Sequence, residues 1–227
     1  MARTTACLLA VALAAACTAR KPAEPVPAAC AFVVEPTPIP VEGAPADERN
    51  ELLDLPDAPV WWAPAPSDPA RDAYRAALER RLGAEALDPM NLLRRQRAVF
   101  AGLPGEGARE VENSDALASG AVGTIGPVSC LEWLLFRRQD RRFPMLERPT
   151  EFGAWVLRGN GRVRVYLSGA DRVGGRLREE VTSRVAADVV GGFTPVAHLH
   201  NHPFLLDRKP GDRTWATPET VNDVAGA

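Results

Sequence analysis

All three histidines of the 227-residue chain fall within five positions, in the stretch Val196-Ala197-His198-Leu199-His200-Asn201-His202-Pro203. In extended backbone, residues two apart leave the same side of a strand, roughly 7 Å from one another, so the imidazoles of an H-x-H run can converge on one ion. With no histidine anywhere else, the cluster points to a metal site rather than to scattered structural imidazoles. The four cysteines, Cys7, Cys17, Cys30 and Cys130, contain no C-x-x-C pair, which removes zinc sites of the thiolate finger or ribbon kind.

The residues around and beyond the cluster narrow the chemistry. Amidohydrolase and PHP-type barrels place H-x-H near their start and need many further strands, whereas 25 residues remain after His202. Metallo-β-lactamases require H-x-H-x-D-H, and here His202 stands where the aspartate belongs. Cupins place a glutamate a few residues beyond H-x-H, and Pro203, Phe204, Leu205 and Leu206 supply none; Asp207 is a poor substitute.

His200-Asn201-His202-Pro203 instead resembles the H-[ST]-H-P core of the JAMM/MPN metallopeptidases, and more closely the H-N-H-P form of their RadC-type relatives. Thr150-Glu151-Phe152-Gly153-Ala154-Trp155-Val156 is similar to the E-x-x-G segment with which that family opens a strand, shortened by one residue. The resemblance implies a Zn²⁺ ion held by His200, His202 and an aspartate, with Glu151 as general base toward the zinc-bound water. It also implies a hydroxyl, placed before that aspartate, that stabilises the oxyanion. The family's S-x-x-D has one counterpart at comparable spacing, Thr220-Val221-Asn222-Asp223, displaced toward the C-terminus. Two readings stay open: Thr220 and Asp223 are the displaced pair, or the true motif lies past Ala227 and the domain is truncated. His198 matches no family ligand and is expected to support the site or the fold. Glu132 and Glu147 are the nearest rivals of Glu151, and Glu132 lies inside an apolar helix with the wrong approach.

The elements that must position these residues are marked by periodicity. Val128, Leu131, Leu134 and Leu135 repeat at helical spacing through Gln139. After Pro149 the period becomes two: 151–157 and 162–167 are strands around Gly159-Asn160-Gly161, a hairpin turn. Leu177, Val181, Val185 and Val189 make 176–190 an amphipathic helix between glycine pairs, and 193–202 is a strand. The order helix, hairpin, helix, strand gives an α/β fold, and the resemblance, which keeps the same order over 127–203, implies a cytidine-deaminase-like mixed sheet with flanking helices. Upstream, Ser67-Asp68-Pro69 and Asp88-Pro89 each start a helix, the first stopping at Gly83 and the second running from Met90 to Phe100. Residues 102–126, rich in Gly, Glu and Ala, read as a loop.

The N-terminal region reads as export machinery. Arg3 followed by an apolar run from Ala6 to Ala16 is too short to span a bilayer and fits a signal peptide over 1–16. Ala14-Ala15-Ala16-Cys17 resembles the lipobox of bacterial lipoproteins, which implies lipidation at Cys17; cleavage after Ala16 without lipid exports the chain equally. Twelve of the 21 prolines lie between Lys21 and Pro69, so 17–66 reads as a Pro/Ala-rich tether, in which the pair Trp61-Trp62 is expected to dock onto the domain. A helical region, 67–126, and a JAMM-like domain, 127–227, complete the organisation. Cys30 and Cys130 are left for an oxidising compartment, either paired or as two thiols. A net charge of −2 offers no broad basic field for nucleic acid. The expected function is hydrolysis of peptide or isopeptide bonds at the cell envelope, on a peptide or protein substrate, with the membrane reached through the lipid. The rival reading is a non-catalytic binding or scaffolding lipoprotein on a degenerate JAMM fold.

Overall fold

A computed structural model describes residues 30, 35–102, 106–148, 150–171 and 177–201. The signal segment, Cys17, His202, Thr220 and Asp223 lie outside them.

The hairpin forms where the turn chemistry places it. Strand β3 (Phe152–Gly159) and strand β4 (Arg162–Gly169) are joined by Asn160-Gly161, whose φ values of +53° and +71° meet the demand of a two-residue turn of the primed type. β4 pairs on its far side with β2 (Arg49–Pro56), β2 with the two-residue β1 (Thr37–Pro38), and β3 with β5 (Thr194–His200), giving the order β1-β2-β4-β3-β5. Every pairing is antiparallel, so the expected α/β class holds but the mixed sheet does not. The cause is the crossover. Helix α5 (Glu179–Val190) carries the chain from β4 to β5, which run in the same direction, but β3 lies between them and no parallel pair forms.

Alternation along the strands separates two cores. Ala154, Val156, Val163, Val165, Leu53, Leu55, Ala197 and Leu199 leave one face and meet Leu131, Leu135 and Phe136 of helix α4 (Cys130–Arg142). Leu157, Tyr166 and Phe193 leave the other and meet Val181 and Val185 of α5. A partly buried ion-pair cluster fixes that second helix: Arg164 reaches Asp188 at 2.6 Å, and the Tyr166 hydroxyl donates to the same carboxylate at 2.6 Å.

Residues 49–56, which composition placed in a tether, are a strand inside the sheet. Pro45 lies ahead of the strand and Pro56 is its last residue, so Arg49 to Leu55 each bring a backbone N–H, and Leu53 and Leu55 are buried. Trp61 docks as expected, wholly buried, with its indole N–H donating to the Pro56 carbonyl at 2.7 Å; Trp62 stays 40% exposed. The loop expected over 102–126 contains helix α3 (Glu106–Ser119), which runs beside α2 (Pro89–Ala101) through a two-pronged Arg97–Asp115 pair at 2.6 and 3.0 Å. Cys30 and Cys130 are disulfide-bonded, 100 residues apart in sequence.

Helix α1 (Pro69–Leu82) starts at Asp68, whose Oδ1 accepts from the amides of Ala70 and Arg71 at 2.8 and 2.9 Å while Oδ2 accepts from the Trp133 indole of α4 at 2.7 Å. Burial pushes this carboxyl's pKa up, but the Arg71 amide, the Trp133 indole, the Ala70 amide and Arg137 outweigh it and hold the group below its usual value. Such a group stabilises the fold above its unfolded pKa of about 3.9, and that contribution disappears as pH falls through the lower folded value. Asp68→Ala is expected to lower unfolding free energy by about 1–3 kcal/mol at pH 7, from a lost cap and a stranded indole N–H. Urea melts should show the gap between the two proteins closing below about pH 4; a gap independent of pH would contradict this role.

Candidate functional site

β5 is placed against β3 by a register in which Gly153 faces His200, Ala154 faces Leu199 and Trp155 faces His198. Because Ala197 and Leu199 enter the α4 core, the histidines between and beyond them leave the opposite face, shared with Trp155. The His198 ring lies 4.9 Å from Trp155 and 6.0 Å from His200, centroid to centroid. Burial holds the His198 pKa below its usual value, so this ring is neutral at pH 7.

Glu151 immediately precedes β3, and alternation assigns it to the same face as Gly153 and Trp155. It therefore occupies the diagonal position to His200, a cross-strand relation of roughly 7–8 Å between backbones that long side chains can bridge. Directly opposite His200 stands Gly153, which brings no side chain into the space beside the imidazole. Glu151 and His200 are both half-buried.

Asn201 holds this end together. Its side chain is 1% exposed and turned to the α4 face, where Oδ1 accepts from the Phe152 amide at 2.8 Å and Nδ2 donates to the Thr150 carbonyl at 2.9 Å. The two bonds straddle Glu151. Gln139 of α4 adds a third tie, donating from Nε2 to the Thr150 hydroxyl at 2.8 Å and to the Ala170 carbonyl at 3.1 Å. Both ends of the glutamate's backbone are thus clamped from the core side, leaving its carboxylate to the other face. The rival glutamates are accounted for elsewhere. Glu132 completes a capping box at the start of α4, accepting from the Ser129 amide at 2.6 Å, and Glu147 is exposed in the turn after that helix.

Of the residues singled out from sequence, the fold brings Glu151, His198 and His200 to one face. His202, Thr220 and Asp223 lie outside the described residues, and among the described residues no three His, Cys, Asp or Glu side chains form a group that could hold a metal. The motif reading missed Asn201, Thr150 and Gln139. The signal for Asn201 was present: in H-N-H the middle residue points to the face opposite the histidines, so a polar side chain there must find buried partners.

Comparison with protein-family models, curated proteins and solved structures finds no match to this chain.

Replacing Asn201 by Ala would strand the Phe152 amide and the Thr150 carbonyl in the core, at about 1–3 kcal/mol for each buried group left unpaired. Asn201→Ala is expected to lower stability by about 2–4 kcal/mol and to accelerate hydrogen exchange at Phe152 ahead of the β3–β4 ladder. Exchange at Phe152 that is unchanged would remove the clamp.

Proposed function

We propose that the chain is an exported, lipid-anchored zinc-dependent hydrolase of peptide or isopeptide bonds, on a JAMM/MPN-like domain in which Glu151 is the general base. The observation that carries this reading is the β3–β5 register, which assigns Glu151 and His200 to one face and leaves a glycine opposite the imidazole. The order α4, β3–β4 hairpin, α5, β5 is the order in which the resemblance requires its motifs. The Cys30–Cys130 disulfide supports maturation in an oxidising compartment, in keeping with a signal segment and lipidation at Cys17.

The donor set fits zinc in chemistry. His200 stands on the common face with neutral His198, and a carboxylate precedes the neighbouring strand. His200 would hold the ion together with His202 and Asp223. Zinc, when bound, supplies Lewis acidity that brings the pKa of a coordinated water to about 7. Glu151 takes a proton from the attacking water and returns it to the leaving amine, so that the C–N bond breaks with the amine neutral. Thr220 donates its hydroxyl to the oxygen that gains charge. Asn201 and Gln139 fix the backbone on both sides of the base, and Trp155 packs against His198 on the same face.

Purified mature protein is expected to carry about one Zn²⁺ per chain, as for an ordinary three-ligand catalytic site. Metal analysis of the His200→Ala/His202→Ala variant should find it lost, and equal content in both proteins would remove the site. Glu151→Gln keeps the reach of the side chain and deletes its basicity. Zinc content should then persist while hydrolysis of a peptide and cell-wall substrate panel falls by roughly 10²–10⁴-fold. Loss of zinc would make Glu151 a ligand instead, and zinc-loaded protein that cleaves nothing in the panel would favour the non-catalytic binding lipoprotein.

A further inference from the structure

At the same end of the sheet, but on its α4 face, four arginines line one cleft. Arg49 leaves β2 on that face, and Arg138, Arg141 and Arg142 come from the last turns of α4; the cavity measures about 220 Å³. Glu51 is the one acid in its wall, and it is committed to Arg138 at 2.8 Å. The other three guanidiniums form no ion pair among the described residues, although the Glu51 and Asp47 carboxylates act on Arg142 from nearby. Arg49 donates to the carbonyls of Ala46 and Glu48 at 2.9 and 3.1 Å, Arg142 donates to the Asp47 carbonyl and lies over the Phe143 ring, and Arg141 has no acidic partner among the described residues. The nearby Asp47 carboxylate is turned to the Asp171 amide at 2.8 Å.

Two arginines at the end of α4 are what the helix dipole favours. A third on β2 lining the same cleft is not, since its charge adds to theirs. Arg142 has its pKa held down first by burial and next by Arg49, against the opposing pull of Glu51 and Asp47. We propose that this cleft binds a phosphate-type oxyanion, with Arg49, Arg141 and Arg142 supplying planar N–H pairs to its oxygens. Guanidinium forks match the spacing of phosphate oxygens, and their rigidity loses little entropy on binding. The cavity admits a phosphate group with its first waters, and Gln139, whose amide is already spent on Thr150 and Ala170, closes its inner wall. The phosphate would be free inorganic phosphate or the headgroup of an acidic phospholipid, and the chemistry of recognition is common to both. This site is separate from the β3–β5 face and does not depend on the hydrolase reading.

The test uses the full chain in chloride buffer, titrated calorimetrically with inorganic phosphate and, separately, sedimented with phosphatidylcholine vesicles with and without phosphatidic acid. Saturable binding of phosphate is expected, weakened at least about tenfold in Arg49→Gln/Arg141→Gln, in line with hydrogen bonds to charged groups. Arg80→Gln, an exposed change on α1, matches part of the lost charge and should bind as the parent does. Binding only to vesicles containing phosphatidic acid, lost in the same double variant, would support the site with a lipid headgroup as its source. If the double variant unfolds early, Arg141→Gln alone, on an exposed side chain, gives the same comparison. Absence of binding in both arms, binding that the arginine variants retain, or equal weakening in Arg80→Gln would overturn the proposal.

Discussion

The register of β3 is the constraint on which the candidate site depends, because the hairpin ladder occupies one of its edges and β5 the other while both its faces are buried. A strand in that position has its register fixed from every side, since a slip of one residue would exchange Ala154 and Val156 with Trp155 and Leu157 between two differently shaped cores. The placement of Glu151 and of His200 is a consequence of that register. Neither needs a specialised loop: one stands just ahead of β3 and the other ends β5. The polar ties at this end, from Asn201 and Gln139, finish what the ladders begin.

Much of this was legible in the sequence where the signal is local. Asp68 and Asp88 before prolines, and Asn160-Gly161 between two alternating runs, specify backbone conformations within a few residues, and each element forms where those residues set it. The capping box at Ser129 and Glu132 belongs to the same kind, and it explains why an acid inside an apolar helix is no competitor for the site.

What was illegible depends on partners far along the chain. β2 sits in a proline-rich neighbourhood whose average composition speaks for extended coil, and only its pairing with β4 gives Leu53 and Leu55 a core to enter. α3 has only Val111 and Leu117 as large apolar residues in a stretch rich in Glu, Ala and Ser, and it is tied to α2 by an exposed ion pair. The direction of β5 was hidden too, because a helical crossover usually returns to a parallel neighbour and here β3 occupies that place. Within the candidate site, the histidine cluster stood out by composition alone. Asn201 did not, since its significance lies in which way it points, and the arginine cleft draws on two segments that no motif links.

The pairing of Asp54 with Arg162, 108 residues apart, has a bearing on how the molecule comes into being. Loop closure over such a distance delays assembly, so β2 emerges from the ribosome long before its neighbour exists. Until β4 has been synthesised, Leu53 and Leu55 of β2 have no core to enter. Closure of the Cys30–Cys130 bond, which spans a comparable stretch, waits in the same way for α4 to be made.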